Sequence, residues 1–317
     1  MRSRLAVIMA IAFATIAVAA VVIGLTTSSP AGGPSVARAS LAPRLASYLG
    51  VYEAGPPGTY QPIAQFAQVA GRRPNLAGYY SGWPEVFKAD FARTARRNGA
   101  ATLVQLDPTD ASVPAIAAGY YDDYLRTFAD SVRDFGHPVV IGFGHEMNAT
   151  WYTWGYGHLP PRTFVAAWRH IVALFRQQGA DNVTWLWTIQ ANIRGSGPIR
   201  DWWPGAGYVT WVGIDGYYYR PSATFATVFG STISEVRSFT GKPVLLSETS
   251  VGPVAGQAVK IQDLFRGMAA YQTLGLVWFD ITQHAGIYHQ DWRIEDSPAA
   301  EQSFRLAAAR YLRQPAG

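Results

Sequence analysis

A histidine and a glutamate stand side by side at His145-Glu146, directly after an apolar run, in the stretch GFGHEMNATWYTWGYG (142–157). Four aromatic residues follow within the six positions 151–156. A second glutamate, Glu248, ends another apolar run, PVLLSE (243–248). A carboxylate behind an apolar run is costly to bury unless it has a partner or a chemical task. Two such carboxyls are what hydrolysis of a glycosidic bond needs. One is protonated and gives its proton to the leaving oxygen; the other is ionised and attacks the anomeric carbon. Glu146 lies among Met147, Trp151 and Trp154, where desolvation raises a carboxyl pKa and favours the acid. Glu248 follows Ser247 and is expected to accept a hydrogen bond from Tyr217, which would keep it ionised and aimed. Asn148 carries an amide suited to a sugar 2-OH or to the nucleophile.

Groups so far apart in the chain need a scaffold that delivers them to one rim. Short apolar runs supply candidate strands: SYLGVYE (47–53), NLAGYYS (75–81), ATLVQLD (101–107), PVVIGFG (138–144), NVTWLWTI (182–189), YVTWVGID (208–215), PVLLSE (243–248) and LVWFDIT (276–282). Their continuous apolar character is that of parallel strands buried on both faces. Amphipathic stretches lie between them. PEVFKADFARTARRNG, YYDDYLRTFADSVRDFG and PRTFVAAWRHIVALFRQQG end in Gly99, Gly136 and Gly179, and the third opens on Pro161. Proline near the start and glycine past the end is the capping asymmetry of helices. Further helices are expected in 223–241, 258–275 and 298–313.

Eight strands alternating with helices predict an α/β fold, a single-domain (β/α)8 TIM barrel over 45–317. The alternative is an open doubly wound sheet, but no G-x-G-x-x-G follows an early strand. In a (β/α)8 barrel catalytic groups sit at the carboxyl ends of strands. His145-Glu146 after strand 4, Asp215 and Tyr217 on strand 6, Glu248 on strand 7 and Asp280 on strand 8 all fall there. Strands 4 and 7 face each other across a barrel, so Glu146 and Glu248 can approach one sugar from two sides. A separation of about 5–5.5 Å would give retention of anomeric configuration. Asp280 is expected to be structural. At least one of Trp185 and Trp187 should pack under helices, while Trp83, Trp202, Trp203 and Trp292 fall in loops, where a ring either stacks on sugar or packs locally.

HEMNATWYTWG resembles the acid/base segment of glycoside hydrolase family 26, whose best-known members are β-mannanases. WWPGAGYVTWVGIDGYY is similar to that family's strand-6 segment and KPVLLSETS to its nucleophile segment; the resemblance covers roughly 45–312. It implies a retaining (β/α)8 glycosidase with Glu146 as acid/base and Glu248 as nucleophile. His145 and Trp151 would line the subsite of the cleaved sugar, Tyr217 would hold the nucleophile and Trp278 would be the stacking platform, with Trp292 as its rival. Two positions depart from the pattern: Ala149 where the family usually has Gly, and Thr210 where strand 6 often has Asp. Both weaken transfer of mannan specificity, since the family also holds β-1,3-1,4-glucanases and β-1,3-xylanases.

Composition narrows the rest. The chain has 317 residues, net charge +5, 14% aromatics, eleven Trp and no Cys. Disulfides and thiolate metal sites are excluded, and the thinly spread charge gives no stripe for nucleic acid. No H-E-x-x-H is present, and His284 and His289 in one loop are a weak pair, so no metal and no cofactor are expected. Arg2 and Arg4 precede an apolar stretch from Leu5 to Leu25, and a small-x-small site follows at Ala37-Arg38-Ala39. Residues 1–27 are therefore expected to be a signal peptide or membrane anchor, and 28–44 a flexible linker. Either reading places the body outside the cytoplasm, secreted or membrane-anchored. The expected partner is a polysaccharide or oligosaccharide bound by a monomer. The expected function is retaining endo-hydrolysis of β-1,4-mannan; the alternatives are mixed-linkage glucan, β-1,3-xylan, a wall-active lytic enzyme, or a binding protein without turnover.

Overall fold

The computed structural model describes residues 40–193, 197–283 and 290–313. The expected signal or anchor segment, most of the linker, and His284 and His289 lie outside the described residues. Among the described residues no helix is long and apolar enough to cross a membrane.

Eight parallel strands close into a barrel in chain order: β1 (Tyr48–Glu53), β2 (Leu76–Gly82), β3 (Ala101–Asp107), β4 (Val139–Phe143), β5 (Val183–Gln190), β6 (Trp211–Tyr218), β7 (Val244–Val251) and β8 (Gly275–Asp280). Six residue pairs join β8 to β1, from Tyr48↔Gly275 to Glu53↔Asp280, so the open-sheet alternative does not hold. That closure depends on one glycine. Gly275 has φ +148°, and a Cβ there would lie 1.9 Å from the Tyr48 carbonyl oxygen; no other residue fits where β8 enters beside β1.

Alternation along each strand divides the apolar side chains between two cores. Tyr48, Leu76, Leu103, Val140, Leu186, Trp211, Leu245 and Val277 fill the lumen, with the rings of Tyr48 and Trp211 4.9 Å apart. The opposite faces pack under the helices. Trp185 and Trp187, two apart on β5, share that outer face. Trp185 meets Phe175 at 5.2 Å and Trp187 meets Trp203 at 5.1 Å, so both pack outward, within the expectation of at least one.

The helices are α1 (Gln61–Val69), α2 (Ala89–Arg97), α3 (Val113–Ala117), α4 (Asp122–Phe135), α5 (Pro161–Gln177), α6 (Ser231–Phe239), α7 (Gln257–Ala270) and α8 (Pro298–Tyr311). Gly136, at φ 72°, ends α4 in the left-handed conformation that the sequence pattern called for. The sequence pattern does not reveal α1 and α3. The first has neither an acidic first turn nor a basic last turn, and the second has only five residues. Among its described residues the β5–β6 crossover carries only 3-10 turns, Ile199–Trp202 and Ala206–Tyr208.

Candidate active site

The segment after β4 doubles back sharply. Gly144 and Glu146 have φ 53° and 55°, in the left-handed region. For a non-glycine residue this costs about 1–2 kcal/mol and persists only where surroundings enforce it. Here they do. The Glu146 N–H donates to the Thr188 carbonyl (3.0 Å), and Trp154 Nε1 donates to the His145 carbonyl (2.9 Å). Asn148 clamps the loop to the end of β5: its amide donates to the Gln190 carbonyl (2.9 Å) and its Oδ1 accepts from the Gln190 N–H (2.8 Å).

Glu146 and Glu248 line one cavity of about 510 Å³ at the carboxyl ends of the strands. Its wall includes Tyr80, Asp107, His145, Trp151, Tyr152, Gln190, Tyr217 and Phe279. The two carboxyls have different company. Trp151 Nε1 donates to Glu146 Oε2 (2.7 Å). With its amide turned to suit its neighbours, Gln190 donates to Glu146 Oε1 (2.5 Å) and to the Asp215 carbonyl (3.2 Å). Glu248 accepts from two phenols, Tyr217 at Oε1 and Tyr80 at Oε2.

A buried ion pair sets the local field. His145 Nδ1 lies 2.8 Å from Asp107 Oδ1, and its Nε2 lies 3.0 Å from the Tyr152 hydroxyl. Burial works against the imidazolium, but Asp107, Glu146 and Glu248 outweigh it and raise His145 to about 10. The positive ring in turn favours both glutamates as anions. Burial still dominates at Glu146 and pushes it up to about 7, against the pull of His145 and Trp151. Burial raises Glu248 as well, opposed by His145, Tyr217 and Tyr80. One carboxyl poised near neutrality, sharing a cavity with another held by two hydroxyls, can serve as an acid/base and a nucleophile.

The remaining sequence candidates divide. His145, Trp151 and Tyr217 are in the cavity wall, and Trp151 is 43% exposed. Three others are corrected. Asn148 is buried with both amide atoms bound to the Gln190 backbone, so it braces the loop and does not face a sugar. Asp215 lies beneath Glu248, its Cα partner in the β6–β7 register, and accepts from Ser247 Oγ (2.5 Å). Fully buried, it is raised well above the usual carboxylate range by desolvation and then by Glu248. Trp278 points outward from β8 onto Phe304 of α8 (5.1 Å), with Nε1 on Asp280 Oδ1 (3.0 Å). Strand alternation then turns its neighbour Phe279 into the cavity instead.

The rival Trp292 is also buried, and it packs on Tyr217 at 4.7 Å. Trp83 and Trp202 are buried packing rings, and Trp203 covers Trp187. Asp280 is structural as expected, since its Oδ1 takes the N–H groups of Trp278 and Ile294. Neither departure from the family pattern touches the cavity. Ala149 is buried in the loop, and Thr210 sits at the entry to β6, where Oγ1 accepts from the Trp185 N–H (3.1 Å).

Tyr80, Asp107, Tyr152, Gln190 and Phe279 were not singled out from sequence. Asp107 and Gln190 are the last residues of β3 and β5, so the strand-end rule reaches them when applied to every strand. Among the described residues no group of His, Asp or Glu could hold a metal ion.

Comparison with known proteins bears on the family and the fold. The family model for glycosyl hydrolase family 26 matches residues 104–304. Endoglucanase H of Acetivibrio thermocellus is 26% identical over 262 residues, 77% of this chain and 28% of that protein. Beta-1,3-xylanase TXYA of a Vibrio species is 26% identical over 167 residues, 49% of this chain and 35% of that one. The chain thus spans about a third or less of the length of these curated relatives. The catalytic domain of the Bacillus sp. JAMB-750 GH26 endo-beta-1,4-mannanase has a similar fold, with TM-score 0.63 at 14% identity over 84% of this chain and 87% of that one.

Proposed function

Because the chain belongs to glycosyl hydrolase family 26, we propose that it cleaves the backbone of a β-linked polysaccharide internally, with retention of anomeric configuration. The observation that carries this is the placement of Glu146 and Glu248 in one cavity with unequal partners. Glu146 is the acid/base. At neutral pH and below it holds a proton, which passes to the glycosidic oxygen as the bond breaks. Glu248 is the nucleophile. Two phenolic O–H groups and the nearby imidazolium keep it anionic and fix its direction of attack on the anomeric carbon. The glycosyl ester so formed is opened by water, whose proton returns to Glu146.

β-1,4-Mannan is the first substrate to try, on the resemblance of the three segments. Mixed-linkage β-glucan is the second, favoured because the match to an endoglucanase covers 77% of the chain. Polymers of this size do not cross a membrane, which supports the reading of residues 1–27 as an export or anchoring segment. The test is a panel of mannan, mixed-linkage glucan and β-1,3-xylan oligosaccharides, with NMR of the first-formed anomer. Retained configuration on one of them is the expected result; inversion, or binding without any cleavage, would reject the proposal.

The pH profile offers a second check. Cleavage needs Glu146 protonated, so kcat/KM falls as pH rises through about 7. It needs Glu248 ionised, so the rate also falls at low pH. The Trp151 N–H stabilises the ionised form of Glu146. Trp151→Phe should therefore raise the pKa of Glu146 and carry the alkaline limb upward, by up to about one pH unit for a single hydrogen bond. A limb that stays put or moves down would show that Glu146 does not set it.

A further inference from the structure

A second cavity, of about 360 Å³, adjoins the first and shares Trp151, Gln190 and Tyr217 with it. Two of these shared residues, Trp151 and Gln190, are the hydrogen-bond partners of Glu146. The third, Tyr217, is a partner of Glu248, so the second cavity adjoins both carboxyls and shares more of its wall with the surroundings of Glu146. Its lining differs in charge from the first. Asp107, Glu146, Glu248 and the His145 imidazolium stand in the first cavity, whereas among the described residues no Asp or Glu lines the second. A cation lines it instead, Arg220, exposed at the end of β6. The guanidinium carbon lies 4.8 Å from the centroid of the Tyr219 ring, a stack that holds its plane while leaving N–H groups free to donate. Among the described residues Arg220 joins no ion pair.

We propose that this cavity binds the sugar unit on the leaving-group side and selects one that bears an anionic group, a ring carboxylate or a sulfate, through Arg220. The inference rests on the glycanase reading above and adds a substrate class to it. A neutral glycan would accept hydrogen bonds from the same N–H groups, but only an anionic one adds Coulombic attraction to them. An acidic unit meets the ionised Glu248 in the first cavity and is attracted to Arg220 in the second, so charge favours one register of the chain across the site. Cleavage then leaves the acidic unit on the product released from the leaving side.

The test uses β-1,4-manno- and mixed-linkage gluco-oligosaccharides in three forms: unmodified, oxidised to uronate at C6, and 6-O-sulfated. At low salt the wild-type kcat/KM is expected to favour an anionic form over its unmodified parent by about tenfold, as a charge-assisted hydrogen bond would give. The ratio should shrink as salt is added. In Arg220→Gln it should fall to about one. Preference for the uronate alone assigns a carboxylate site, and equal preference for both assigns a general anion site. A wild-type ratio of one or less, or a ratio that Arg220→Gln leaves intact, overturns the inference. Should no form be cleaved, the glycanase reading fails, and calorimetric binding of the same sugars decides this one by the same ratio.

Discussion

Glu248→Ala is expected to lower kcat by roughly 10⁴- to 10⁶-fold on whichever glycan the protein cleaves, the range seen when a covalent nucleophile is removed. The change deletes the atom proposed to bond to carbon and leaves two phenols, the buried Tyr217 and the half-buried Tyr80, without their acceptor. It also leaves a space that a small anion can enter. Azide added to the variant should attack the anomeric carbon directly, in one displacement, and yield a glycosyl azide of inverted configuration. Glu248→Gln keeps the volume and separates loss of chemistry from loss of packing, with thermal unfolding as the control. Wild-type turnover in either variant would remove Glu248 from the reaction.

Removal of the second carboxyl should show a different signature. Glu146→Gln is expected to cost roughly 10²- to 10⁴-fold on natural glycans, the usual contribution of a positioned acid. On an aryl glycoside whose leaving group needs no proton, the first step should survive. Water then lacks its general base, so the glycosyl ester accumulates and the apparent KM falls with kcat. Azide needs no base, and it should restore turnover with a product of retained configuration. An equal loss on both substrate types, with no response to azide, would mean that Glu146 is not the acid/base.

The barrel was legible because its strands are buried on both faces and written as unbroken apolar runs, all eight of which recur in the fold. The glutamates were legible for a related reason: a charge behind such a run is conspicuous. Side-chain direction was less so. Trp278 and Phe279 are adjacent, and only the register of β8 against β1 decides which ring enters the cavity. Asn148 failed as a sugar ligand because nothing local reveals that the Gln190 backbone, 42 residues on, takes up both of its polar atoms. Tyr80 eluded the reading because its bond to Glu248 spans 168 residues. Contacts of that range follow from closure of the barrel, which no local pattern encodes.

Eleven indoles share the ultraviolet absorption of this protein, yet their emission would not be uniform. Nine are buried, among them Trp168, Trp187, Trp202, Trp211, Trp278 and Trp292, and emit from a largely water-free setting, while Trp203 is half-buried. Trp151 is the most open to water, at the junction of the two cavities. The red edge of the fluorescence, and whatever part of it a dissolved quencher extinguishes, therefore belongs chiefly to a single ring. Nature has left an optical gauge of occupancy at the mouth, requiring no label.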